Sequence, residues 1–153
     1  MTYEHKWIFP AKITEDKQIY DADTIKKVIV DKGFDSFHKS TIRFHRINAY
    51  EVKLRKGTTP AQKKKGLEGR KYLRELLVGK DIYIRTIKGG SKKGKFGRYL
   101  GEVYILSSDE LYNTLITCKT VASNAGYKKY KIDGLINLND LMVAKGFAIY
   151  KRY

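Results

Sequence analysis

The segment Thr59-Pro60-Ala61-Gln62-Lys63-Lys64-Lys65-Gly66-Leu67-Glu68-Gly69-Arg70-Lys71-Tyr72-Leu73-Arg74-Glu75-Leu76-Leu77-Val78-Gly79 carries the clearest helix signal in the chain, and its position decides the fold. Thr59 offers an N-cap hydroxyl, Pro60 fills the first helical position, and Gln62 follows three residues after the threonine, which is a capping box. Leu67, Leu73, Leu76 and Leu77 supply an apolar stripe, and Gly79 stops the helix. Before this helix, residues 6–13, 19–30 and 41–47 are rich in β-branched and aromatic side chains and read as strands. Asp31-Lys32-Gly33 marks the turn between the second and third. After the helix, 81–87 and 99–106 read as two more strands, separated by a Gly- and Lys-rich loop over 88–98. Three strands, a helix, then two strands is the order of an α+β fold built on a five-stranded OB-type β-barrel with two or three packed helices, although the strand count alone fits other small α+β folds as well.

The rest of the chain is less regular. Residues 107–129 are ambiguous, with a short helix expected over 109–119. Asp133-Gly134 signals a hairpin between 130–132 and 135–137. A last short helix is expected over 138–145, capped by Asn137 and closed by Gly146. No repeat, linker or low-complexity tract interrupts the 153 residues, so one domain over 1–153 is expected.

Charge narrows the function. Thirty-two Lys and Arg against sixteen Asp and Glu leave a formal charge of +16, which favours a polyanionic partner, nucleic acid above all. The bland alternative is a solvated surface with a basic bias. No apolar run approaches the roughly 20 residues that span a bilayer, and no basic amphipathic helix with a large apolar face stands out, so no membrane role is expected. The N-terminus carries Glu4, His5 and Lys6 without a continuous apolar core, so no signal peptide is expected and the chain reads as cytoplasmic. The single cysteine, Cys118, reads as a small buried hydrophobe in a reducing compartment.

Three short segments concentrate chemistry. Ile19-Tyr20-Asp21-Ala22-Asp23-Thr24 places two carboxylates two residues apart, on the same side of a strand, as a hard cation prefers; alone it fits a polar strand edge or turn as well. Arg43-Phe44-His45-Arg46-Ile47-Asn48-Ala49-Tyr50-Glu51 brings a guanidinium for a phosphate and a carboxylate for a water proton. Lys95-Phe96-Gly97-Arg98-Tyr99 ends the basic loop with a second arginine at a strand start. Tyr127-Lys128-Lys129-Tyr130-Lys131 interleaves rings and cations, which suits base stacking beside phosphates and equally suits a basic strand with half-buried tyrosines. His38 and His45 have no matching partners for metal or nucleophile work and read as structural or surface residues.

In order and spacing these segments resemble the staphylococcal-nuclease (thermonuclease) family. That family's pattern runs D-G-D-T, R-x-x-x-x-D-T-P-E, K-Y-G-R and a late N-E/D-x-L-V-x-x-G-x-A. Here the last element resembles Asn139-Asp140-Leu141-Met142-Val143-Ala144-Lys145-Gly146-Phe147-Ala148. The likeness covers residues 13–148, apart from an apparent insertion near 106–129, which is expected to cover part of the barrel underside. It implies a Ca2+-dependent nuclease acting on DNA and/or RNA as a monomer and leaving 3′-phosphates. Asp23 then resembles the direct calcium ligand, Asp21 its supporting acid, Asn48 a second ligand, and Ala49 a backbone-carbonyl ligand. Glu51 resembles the general base, Arg43 and Arg98 the two phosphate-holding arginines, and Lys95 a lysine on a terminal phosphate. Tyr127 and Tyr130 are candidate substrate contacts.

Asn48 departs from the family, which has an aspartate there: an amide oxygen coordinates calcium but brings no charge. Phe96 stands for a tyrosine, removing a hydroxyl. An alternative is therefore a nucleic-acid-binding module with catalysis weakened or lost. A basic structural or ribosome-associated protein would explain the charge but not the ordered motifs.

Overall fold

The computed structural model describes residues 8–77, 79–87, 98–124, 131–132 and 134–151. The strands are β1 (Ile8–Lys12), β2 (Ile19–Asp21), β3 (Thr24–Asp31), β4 (Phe37–Phe44), β5 (Ile47–Ala49), β6 (Ile82–Thr86), β7 (Tyr99–Leu106), β8 (Lys131–Ile132), β9 (Leu135–Asn137) and β10 (Ala148–Tyr150). The helices are α1 (Pro60–Leu77), α2 (Asp109–Thr117), α3 (Lys119–Ser123) and α4 (Leu138–Ala144).

The protein is a mixed α+β fold whose main sheet closes on itself. β1 pairs antiparallel with β3 and β6, β3 with β4, and β6 with β7. A parallel pairing of β4 with β7, setting Ile42 beside Tyr99 and Arg43 beside Leu100, completes a ring of five strands. Beyond the ring, β9 adds to β7 and β8 to β9, while β5 and β10 form a separate two-stranded sheet. Alternation explains the closure. Ile25, Val28, Ile42, Phe44, Ile82, Ile84, Val103 and Ile105 are buried in one continuous core with Leu73 and Leu77 of α1. Each such side chain contributes roughly 1.5–3 kcal/mol on burial.

Several elements differ from the sequence expectation. The strand expected over 19–30 breaks at Ala22-Asp23, where a two-residue turn joins β2 to β3. The two aspartates are near each other because of that turn, not because of strand periodicity. The strand expected over 41–47 starts earlier, at Phe37, and ends at Phe44, because Arg46 takes a left-handed conformation (φ 73°) that the pleat cannot hold. In α1 the capping box forms in both directions, Gln62 N to Thr59 Oγ1 at 3.2 Å and Thr59 N to Gln62 Oε1 at 2.9 Å. Its buried stripe, however, is Gly66, Gly69, Leu73 and Leu77; Leu67 points to solvent. The 106–129 region forms α2 and α3, which pack principally on α4 through buried Leu115 and Val121. It therefore covers α4, and α4 in turn covers β7 and β5. No helix among the described residues is long and apolar enough to cross a membrane.

Candidate functional site

The turn Asp21-Ala22-Asp23-Thr24 folds back tightly, with Asp21 opposite Thr24, and Asp21 Oδ1 accepts from Asp23 N at 3.0 Å. Thr24 Oγ1 donates to Asp23 Oδ1 at 2.8 Å. The second segment arrives through the turn at His45-Arg46, after which β5 pairs with β10 and places Asn48 opposite Ile149 and Ala49 opposite Ala148. Ala49 N then donates to Asp23 Oδ2 at 2.6 Å, joining the two segments.

Arg43 is the hub. Its Nη1 lies 2.9 Å from Asp23 Oδ2 and donates to the carbonyls of Phe44 (3.1 Å) and Ile47 (2.9 Å). Its Nη2 donates to Asn48 Oδ1 at 2.6 Å. The guanidinium thus engages two of the three side chains nominated for the metal, Asp23 and Asn48.

Helix α1 holds the site from behind. A Cβ built on Gly66 would stand 2.2 Å from the carbonyl oxygen of Glu51, and one on Gly69 would stand 2.9 Å from Phe147 Cβ and 3.2 Å from Ala22 Cβ. Only glycine lets the helix backbone lie this close to the Glu51 segment and the Asp21–Asp23 turn.

These elements enclose a cleft of about 700 Å3, lined by Tyr20, Asp21, Asp23, Thr24, Arg43, Asn48, Ala49, Glu51, Arg55 and Arg98. Seven nominated residues meet there: Asp21, Asp23, Arg43, Asn48, Ala49, Glu51 and Arg98. Tyr20, Thr24 and Arg55 were missed by the sequence reading. Glu51 is exposed and pairs with Arg55 at 3.4 Å, an i,i+4 spacing that could have flagged Arg55. Lys95, Tyr127 and Tyr130 lie outside the described residues. No protein-family model and no curated protein matches this chain.

Burial, followed by the charge of neighbouring Asp23, pushes the Asp21 carboxyl up to about 8. Two desolvated carboxylates side by side disfavour double ionisation, and a cation between them reverses that effect. The donors are all oxygens: Asp21, Asp23, the Asn48 amide and the Ala49 carbonyl. Such a hard set fits Ca2+. Among the described residues no three His, Cys, Asp or Glu gather to hold a metal by themselves, so the set depends on the amide and the backbone.

A second polar cluster joins the 45–46 turn to β7, α4 and β10, and its roles were not assigned from sequence. Arg46 donates to Glu102 Oε1 (2.5 Å) and, through two nitrogens, to Asp140 Oδ1 and Oδ2 (3.0 and 3.2 Å). Tyr150 donates to Asp140 Oδ1 at 2.6 Å, and Asn139 donates to Glu102 and to the carbonyls of His45 and Gly101. Burial works against the charge on Arg46, but its bonds to Asp140 and Glu102 outweigh it and hold the guanidinium well above its usual value. This cluster clamps the 45–46 turn, and therefore sets where Asn48 and Ala49 stand.

Proposed function

We propose that the protein is a Ca2+-dependent nuclease of the thermonuclease type, with the five-strand ring an OB-type barrel carrying the site on its outer face. The observation behind this reading is the cleft, in which seven motif residues from three distant segments converge. The +16 charge supports a nucleic-acid substrate.

Arg43 and Arg98 would grip the scissile phosphate, and Glu51 would take a proton from the attacking water. Water adds to phosphorus, the bond to the 5′ oxygen breaks, and that oxygen takes a proton from solvent. The products are a 3′-phosphate and a 5′-hydroxyl. Bound beside Asp23, Asp21, Asn48 and the Ala49 carbonyl, the cation would supply charge against the negative charge that develops on the phosphate.

A second reading, a nucleic-acid-binding module with little catalysis, is favoured by one contact. Arg43 already satisfies Asp23 and Asn48, so its guanidinium must serve both ligand oxygens and substrate. Gel assays on single-stranded DNA and on RNA, with Ca2+ and then EDTA, separate the two. Cleavage that EDTA abolishes supports the nuclease; binding without cleavage at any calcium concentration leaves the module. Asn48→Asp should tighten calcium binding, and unchanged affinity would remove Asn48 from the ligand set.

A further inference from the structure

The five-strand ring has a second concavity, distinct from the cleft. At the end where β7 begins, a cavity of about 210 Å3 is lined by Phe9, Val30, Lys32, His38, Ser40, Ile42, Ile84, Thr86 and Tyr99. Its floor is aliphatic, from Val30, Ile42 and Ile84. Its walls include three aromatic rings, and His38 and Tyr99 meet edge to face at 5.3 Å, which forms a corner. Ser40 Oγ is buried here and has no hydrogen-bond partner among the described residues. A buried hydroxyl without a partner loses free energy that a ligand acceptor or donor restores. Lys32 adds a cation to the cavity lining.

The cavity and the cleft share their strands. Ile42 faces the cavity and the next residue, Arg43, the cleft; Tyr99 faces the cavity and the preceding residue, Arg98, the cleft. This is strand alternation, and it puts two concavities on opposite faces of the β4–β7 pair.

We propose that this cavity is a base subsite, which takes one unstacked nucleobase of a single strand bound at the cleft. The inference rests on the nuclease or nucleic-acid-binding reading and adds where a base goes. The chemistry matches a base: flat apolar and aromatic surfaces for its faces, a free hydroxyl for its edge, and a cation for its phosphate. The volume suits one ring system; at about 30 Å3 per water it equals roughly seven waters. An unstacked base is what a single strand offers and a duplex withholds, so the subsite favours single-stranded substrates.

The test uses a short oligothymidylate with one 2-aminopurine, bound without added metal so that no cleavage intervenes. Binding to the wild type should raise anisotropy and change 2-aminopurine emission. Ile84→Phe, which fills the cavity, should abolish the emission change and weaken binding about tenfold, within the range of one stacked base. Ser40→Ala, which removes only the hydroxyl, should keep the emission change and weaken binding by a smaller factor. Circular dichroism and melting establish that each variant is folded; if Ile84→Phe is not, Val30→Phe replaces it. Emission changes and affinity equal to wild type in a folded, filled variant overturn the subsite while leaving the cleft reading intact. No binding by the wild type at low salt overturns both.

Discussion

Arg43 and Arg46 stand three residues apart, and each meets carboxylates, yet they serve opposite ends. Arg46 binds two buried carboxylates, Glu102 and Asp140; Tyr150 donates to Asp140, and Asn139 braces Glu102. At Asp140 burial raises the carboxyl's pKa, whereas at Glu102 the bonds from His45 and Arg46 overcome burial and lower it. Arg43 holds a comparable number of partners, but one side of its group opens on the 700 Å3 cleft. The two arginine side chains are about equally exposed, 15% and 18%, so the contrast lies in what they bind. A cluster built on two buried carboxylates fixes a turn, and one that lines a cleft leaves charge where a substrate can reach it.

The comparison can be broken at several points. Arg46→Met should have the largest effect, because it leaves Glu102 and Asp140 buried without their cation; a loss of about 3–5 kcal/mol in urea unfolding is expected. A loss under about 1 kcal/mol would mean that the cluster is not a structural lock.

Arg43→Gln should lower cleavage by about 100- to 1000-fold, while unfolding free energy falls by only about 1–3 kcal/mol. If stability collapses as far as in Arg46→Met, the supposed contrast between site and scaffold is wrong.

Asp21 offers a pH handle. Its pKa of about 8 in the folded chain exceeds that of an unfolded aspartate. Between about pH 4 and pH 8 the folded state therefore keeps a proton that the unfolded state has lost. The stabilisation is complete below about pH 4 and is lost as pH rises towards 8, with a slope of up to about 1.4 kcal/mol per pH unit. Metal-free unfolding across this range should steepen in wild type and flatten in Asp21→Asn. Parallel curves for the two proteins would assign the slope to another group.

The smallest effect is expected at Arg55. Its exposed pair with Glu51 is worth less than about 0.5 kcal/mol, so Arg55→Gln should barely alter unfolding. If Arg55 contacts a phosphate, the slope of log affinity against log salt should fall by about 1. An unchanged slope would place Arg55 outside the substrate path.

Much of this was legible because it was local. The Thr59–Gln62 capping box and the Asn137 cap on α4, where Asn137 Oδ1 accepts from Asp140 N at 3.0 Å, depend on near neighbours. The break at Ala22-Asp23 was not legible, because D-x-D-T fits a strand and a tight turn equally until Arg43 and Ala49 arrive to fill Asp23. Nor were Gly66 and Gly69, whose glycine pair three residues apart is the one trace of a close helix approach.

By itself the sequence determined the charge, the order of strands and helix, and seven of the ten residues that line the cleft. It could do so because propensity, capping and hydrophobic period act over a few residues. Tertiary structure decided that Arg43 faces the cleft while Arg46 turns to Glu102 and Asp140, and that Asp21 is desolvated enough to hold its proton. Those outcomes depend on burial and on partners up to 94 residues away, as Asp140 is from Arg46. Solvation and Coulomb interactions act through space, and no local pattern records which side of a strand the rest of the chain will cover.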